Sequence, residues 1–188
     1  MSQRTPRLAM LGAGRMGQAI LSGLLASGWE PERIRVAEPH TPTAARVREQ
    51  FGVEVFAPLE AVARADVVVV AVKPHVVGAA LAEVADRLEA DATVVSIAAG
   101  VPTSALAADL PSGTAVVRVM PNTPSLVGEG MAAISPAPGC PAASVQLARE
   151  VLAAVGEVVE VPETLQDAVT AVSGSGPAYA YLLAEAMI

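Results

Sequence analysis

Four consecutive apolar residues, Leu8–Leu11, run straight into Gly12-Ala13-Gly14-Arg15-Met16-Gly17, and these lead into a stretch where Met16, Ile20 and Leu24 recur on one helical face. A buried strand, a glycine turn and a helix in that order admit few folds. Glycines serve distinct ends here: a tight turn at Gly12, close approach of a pyrophosphate at Gly14, and helix-on-strand packing at Gly17. The helix N-terminus adds N–H groups and partial positive charge for an anion. Leu11, Gly12, Ala13, Gly14, Arg15, Met16 and Gly17 are therefore a candidate dinucleotide cradle. A glycine-rich turn without a ligand is the plainer alternative, and the flanking strand and helix weigh against it.

The remainder keeps the same alternation. Strands are expected at Ile34–Ala37, Val53–Phe56, Asp66–Val72, Thr93–Ile97 and Ala115–Met120, with four successive valines in the third as for a central strand covered on both faces. Helices are expected at Met16–Ser27, after a Thr41 cap with Pro42 at the first position, at Pro74–Leu88 and at Thr103–Leu110. Met131–Ser135 reads as a further strand, Pro136–Pro141 as a loop, Ala142–Val155 as an amphipathic helix and Glu157–Val161 as a last strand. This βαβα order predicts an α/β chain, a Rossmann-like doubly wound and mostly parallel sheet. Pro162 marks a boundary between a cofactor domain, 1–161, and the start of an all-helical domain, 162–188, with helices at Glu163–Val172 and Pro177–Ile188.

Bulk properties exclude several classes of function. A chain of 188 residues with 53% hydrophobic and 16% charged residues predicts a large core, and 3% aromatic content makes that core aliphatic. A net charge of −7 argues against nucleic acid or an anionic membrane as partner. No window approaches the ~20 apolar residues of a membrane span, and Arg15 interrupts the first apolar run before it resembles a signal peptide. The single cysteine, Cys140, excludes an internal disulfide and fits a reducing compartment. A cytoplasmic protein is expected.

Ligands of open α/β sheets bind beyond the carboxyl ends of the strands. Candidate cofactor contacts there are Glu38, Ala71, Val72, Lys73 and Pro74, and the small run Ala98, Ala99 and Gly100, which leaves room for a flat ring. An acid at the end of the second strand favours NAD over NADP by bonding the ribose 2′-hydroxyl and repelling a 2′-phosphate. Arg46 or Arg48 could instead serve a 2′-phosphate, and a solvated loop acid is the simple alternative. Asn122 and Thr123, between Pro121 and Pro124, offer donors and an acceptor near a substrate. Ser173, Gly174, Ser175 and Gly176 read as a turn opening the last helix, where an anion such as a carboxylate would sit at the helix N-terminus. The plain alternative is a helix stop and a new cap. Two histidines and one cysteine give no metal-ligand spacing and no nucleophile–base pair. His75 reads as a surface residue and His40 as lying at the adenine end. No catalytic residue is assigned, because hydride transfer to a preactivated acceptor such as a protonated cyclic imine needs only positioning and desolvation.

Taken in order, Gly12–Gly17, Ala71–Pro74, Ser96–Val101, Met120–Pro124 and Asp167–Tyr179 make the chain resemble pyrroline-5-carboxylate reductase. Asn122-Thr123-Pro124 with Ser173–Tyr179 is the specific part, since the glycine loop is common to many dehydrogenases. The resemblance implies reduction of 1-pyrroline-5-carboxylate to L-proline with NADP(H) or NAD(H). It implies Leu11–Met16 around the pyrophosphate, Ala71–Pro74 and Ala98–Gly100 along ribose and nicotinamide, and Asn122 and Thr123 at the reacting end. Glu38 stands where NADPH-using relatives often carry a small hydroxyl residue, and Pro58 where an asparagine often touches the cofactor. The family also continues into a helical domain that interlocks two subunits and carries a Ser-Pro-Gly-Gly-Thr loop, absent from these 188 residues. It implies a truncated chain, a homodimer or higher homo-oligomer for the full-length protein, and activity that does not reside in this stretch alone. Two other readings stand beside it: a dinucleotide-binding fragment without catalysis, and a β-hydroxyacid dehydrogenase relative. The second is disfavoured because no lysine follows Lys73.

Overall fold

The short runs of β-branched and aliphatic residues become strands because each can bury both faces. In a computed structural model, which describes residues 6–188, β1 (Leu8–Leu11), β2 (Ile34–Ala37), β3 (Glu54–Val55), β4 (Val67–Val70), β5 (Thr93–Ser96) and β6 (Ala115–Met120) are parallel. Then β7 (Gly130–Pro136) runs antiparallel to β6, and β8 (Gly156–Glu160) parallel to β7. Among the described residues these form one sheet in the order β3-β2-β1-β4-β5-β6-β7-β8. The order reverses between β1 and β4, so the crevice at their carboxyl ends is the topological switch point where such sheets take ligands.

The period-2 alternation of each strand divides the core in two. Val67 and Val69 pack with Met10, Ile20 and Leu24 on one face, and Val68 and Val70 with Leu11, Val77 and Leu81 on the other. All four valines are fully buried, each worth about 1.5–3 kcal/mol relative to exposure. The first face is covered by α1 (Arg15–Ala26) and α6 (Ala142–Ala153); the second by α3 (Pro58–Ala61), α4 (Val77–Val84) and α5 (Thr103–Ala108). The doubly wound fold expected from the alternation is the one found.

Local expectations needed correction. Thr41 is the first residue of α2 (Thr41–Phe51) and not its cap; His40 precedes it without a side-chain capping bond, its Nδ1 instead 2.9 Å from Thr43 Oγ1. The helix expected over Pro74–Leu88 divides into 3₁₀ turns at Pro74–Val76 and Ala85–Arg87 around α4. Nor is Ser173–Gly176 an open turn. A 3₁₀ turn (Glu163–Leu165) leads into α7 (Gln166–Val169), then a π-helical segment Thr170–Gly174, then α8 (Gly176–Met187), in near-continuous helix. Pro177 explains the widened turn: it lacks an N–H, and its ring crowds the carbonyl of Ser173 four residues back. The ladder slips to i−5 just before it, where Ser175 N–H donates to Thr170 O at 2.9 Å.

The arm from Glu163 to Gly174 lies against β6 and β7 through buried polar groups. Gln166 is fully buried on β7, its Nε2 donating to Ala133 O at 3.1 Å and Ser135 Oγ at 2.8 Å. Beyond it, every residue from Ala178 to Ile188 is exposed, Leu182 at 68% and Met187 at 77%. Among the described residues no helix is long and apolar enough to cross a membrane.

Candidate functional site

The glycine loop links β1 to α1 at the switch point. Gly12 has φ +88°, a left-handed conformation, and its N–H donates to Ala37 O at 2.8 Å. A Cβ on Gly12 would lie 2.9 Å from both Ala71 O and Val72 Cγ1, so the end of β4 leaves space for glycine alone. On Gly17 it would approach Gly12 O at 3.0 Å and Met10 Sδ at 3.2 Å, which is the close helix–strand contact. Nothing lies within 4 Å of a Cβ built on Gly14. Gly14 and Arg15 are exposed while Ala13 is fully buried, so the middle of the loop is the face open to a ligand.

Glu38 follows β2 and turns back onto this loop. Its Oε2 accepts the N–H of Ala13 at 2.7 Å and its Oε1 the N–H of His40 at 2.9 Å. Two charge-assisted bonds to backbone hold the carboxylate in place. Arg48, a candidate for countering a 2′-phosphate, instead donates from Nη2 to Val55 O at 3.2 Å.

The other candidates gather at the same end of the sheet. Ala71–Pro74 continues from β4, with Lys73 and Pro74 exposed. Ile97–Gly100 leaves β5; Ala98 is buried and Ala99 and Gly100 are exposed. Asn122 lies just beyond β6. Its Nδ2 donates to Ser173 Oγ at 3.2 Å and its Oδ1 accepts the N–H of Met131 at 2.8 Å. Gly174 sits where a Cβ would come 2.5 Å from the flexible tip of Met120. Residues 51 positions apart in the chain thus meet at one rim. The Ser175 N–H, in the stretch expected to open the last helix onto an anion, donates to Thr170 O.

A polar cluster on the strand that leads to Asn122 was not anticipated. Arg118, in the middle of β6, is 7% exposed. Its Nη1 lies 3.3 Å from Glu163 Oε1 and its Nη2 3.6 Å from the Asp167 carboxylate. Glu163 also accepts the Thr103 N–H and Oγ1–H, each at 2.7 Å. The available signal was Arg118 itself: an arginine at a strand position buried on both faces must have a partner. Burial would raise the Glu163 carboxyl, but the Thr103 and Arg118 bonds outweigh it and hold the group below its ordinary value. A depressed folded value gives stability that is fully present above the unfolded carboxyl range and lost as pH falls through the folded value. Urea unfolding should therefore show the wild type more stable than Glu163→Gln at pH 7, with the gap closing on acidification below about pH 4.5. A gap independent of pH would contradict this.

The Cys140 thiol is no nucleophile for the crevice. Burial pushes the Cys140 thiol up, only partly offset by a backbone bond at Val116, and it lies beyond β7, away from the glycine loop. Among the described residues no group of His, Cys, Asp and Glu could hold a metal ion. A depression of about 360 Å³ between Asp66, Thr93, Ala115 and Leu147 lies at the amino-terminal ends of β4–β6, opposite the crevice. The topology and the cradle geometry, not cavity size, locate the site.

Comparison with known proteins identifies the family. Residues 7–100 match a family described as NADP oxidoreductase coenzyme F420-dependent, and residues 163–188 one described as pyrroline-5-carboxylate reductase dimerisation. A pyrroline-5-carboxylate reductase of Corynebacterium melassecola is 39% identical over 96% of this chain and 68% of its own length; one from Pseudomonas aeruginosa is 42% identical over 97% and 68%. The chain belongs to the pyrroline-5-carboxylate reductase family. It spans about two thirds of the length of these relatives. A solved pyrroline-5-carboxylate reductase from Coxiella burnetii superposes with a TM-score of 0.92 at 35% identity, covering 97% of this chain and 69% of that one. The Plasmodium falciparum pyrroline carboxylate reductase, solved with NADP bound, gives 0.87 at 27%, covering 98% and 68%. A Mycobacterium tuberculosis 3-hydroxyisobutyrate dehydrogenase, at 23% identity and TM-score 0.74, shares the fold, which is why the glycine loop alone left a β-hydroxyacid dehydrogenase open.

Proposed function

We propose that this reductase-family chain reduces 1-pyrroline-5-carboxylate to L-proline, the last step of proline biosynthesis, with NADH or NADPH bound along its crevice. The observation that carries the reading is the Asn122–Ser173 hydrogen bond, which joins the two family-specific segments at the crevice rim. The cradle suits a dinucleotide, since the end of β4 excludes any side chain at Gly12 while the loop is open at Gly14. A bound nicotinamide supplies the hydride. The residues of this chain bind and orient. The loop around Gly14, Arg15 and Met16 faces the pyrophosphate, and Ala71–Pro74 with Ala98–Gly100 line the ribose and ring. Asn122 spends its Oδ1 on Met131 and one Nδ2 hydrogen on Ser173. It therefore fixes the rim on which Thr123 and Ser173–Gly176 meet the substrate. A protonated ring C=N is already electrophilic. Hydride adds at carbon, the π pair moves to nitrogen, and no acid is required of the protein.

The proposal includes a boundary at Pro162 between a cofactor domain, 1–161, and a helical domain, 162–188. It also includes a homo-oligomer in which a second copy covers the exposed α8, supported by the dimerisation-family match over 163–188. The net charge of −7 supports a small-molecule substrate with no nucleic acid or membrane partner, and the lone Cys140 a cytoplasmic location.

Pyrroline-5-carboxylate-dependent NADH oxidation, with proline-dependent NAD⁺ reduction at alkaline pH as its reverse, tests the activity. Cofactor binding by calorimetry with no turnover in either direction would replace the reading with a dinucleotide-binding module. Ser173→Ala removes one partly buried hydrogen bond, worth about 0.5–1.5 kcal/mol. It should lower kcat/KM for the imine roughly 2- to 12-fold at that energy while NADH affinity stays unchanged.

A further inference from the structure

Glu163 links three segments that flank the proposed site. Its two oxygens accept the N–H and Oγ1–H of Thr103, both at 2.7 Å. Thr103 opens α5 and ends the loop that leaves β5 through Ala98–Gly100. Oε1 also lies 3.3 Å from Nη1 of Arg118, four residues before Asn122 on the strand that carries the Asn122 loop. Glu163 itself starts the arm that ends in Ser173–Gly174. The carboxylate thus joins the ring-side loop, the Asn122 strand and the substrate-side arm at a single point. Arg118 is 7% exposed and spends its charge on Glu163 and Asp167. An amide at 163 keeps one acceptor oxygen where three donors converge and removes the negative charge that faces Arg118.

We propose that Glu163 is a positioning residue for the reaction, a latch whose bonds to Thr103 and Arg118 set the 98–103 loop and the 163–174 arm in register with each other. It touches neither cofactor nor substrate; it acts through the two segments that would. The inference rests on the proposed reductase reading only for its kinetic consequence, because the coupling between segments is a property of the fold.

Two measurements on the full chain separate the two. Amide hydrogen exchange needs no substrate. In Glu163→Gln, protection of the amides in 103–106 and in 170–175 should fall together, at least about tenfold, while β1 and β4 stay protected. Loss in one segment only, or in neither, overturns the latch. Steady-state kinetics then read its use: kcat/KM for pyrroline-5-carboxylate should drop about tenfold in Glu163→Gln and Thr103→Val, with the Kd for NADH within about twofold and Thr103→Ser restoring the wild-type value because it keeps both donors. Glu160→Gln, which breaks the Arg149–Glu160 pair on the far edge, should change neither readout. Equal losses of NADH affinity and turnover in Glu163→Gln would overturn positioning in favour of general destabilisation. The exchange pattern in Glu163→Gln, found together with a wild type that shows no turnover, would overturn the reductase reading and leave the latch standing.

Discussion

Replacing Gly12 with alanine should raise the Kd for NADH by about 10- to 100-fold and lower the unfolding free energy by about 2–5 kcal/mol, summing left-handed strain and overpacking. The φ of +88° sets the first cost, since an L side chain pays roughly 1–2 kcal/mol there. The second comes from a methyl 2.9 Å from the carbonyl oxygen of Ala71, a backbone atom fixed by its own bond from Ala71 N–H to Leu11 O. Relief requires the loop to rise off β4, and that movement closes the space over Gly14 that a pyrophosphate needs. Gly14→Ala is the contrast. Its methyl meets no protein atom within 4 Å, so stability should hold while cofactor affinity falls. Fluorescence titration with NADH and chemical denaturation read both variants. A Gly12→Ala protein that binds NADH as tightly as wild type would mean that the loop is not the cradle.

The second large effect is on cofactor choice. NADH should bind more tightly than NADPH by about 5- to 150-fold, equivalent to ~1–3 kcal/mol of like-charge repulsion at intermediate dielectric. Glu38 cannot swing clear of an incoming 2′-phosphate without giving up the Ala13 and His40 N–H bonds at 2.7 and 2.9 Å. Arg48 is turned away toward Val55 O. Glu38→Ser should shrink or reverse the preference. It also frees the Ala13 N–H and loosens the loop, so both affinities fall and the ratio is the informative quantity. Equal affinities in the wild type would show that the carboxylate is neutralised or displaced when the dinucleotide binds. The Plasmodium relative was solved with NADP, so the preference expected here is a property of Glu38 and not of the fold.

Pattern made much of this architecture legible. β1, β2 and β6 fall on the expected residues, because β-branched and aliphatic runs of that length have few other ways to bury both faces. The glycine loop was readable because its steric demands are local: a left-handed residue, a close approach and a tight packing contact must each be glycine. Helix interiors were harder. Pro74–Leu88 broke into three pieces, and the Ser173 segment became a π-helical widening instead of a turn, because Pro177 offers a choice between ending a helix and stretching it. Propensity alone does not make that choice; packing of Gly174 against Met120 and burial of Gln166 do.

Sequence alone determined the class of fold, the place of the glycine loop after β1 and the family, since these depend on periodicity and on residues whose constraints act over a few neighbours. Only the tertiary structure decided which polar groups meet. Asn122 with Ser173, Glu38 with Ala13, and Glu163 with Thr103 and Arg118 are separated by 51, 25, 60 and 45 residues. No local spacing encodes such pairings. Partial burial of these groups favours the pairings, because a donor or acceptor taken from water gains by finding its partner in the protein.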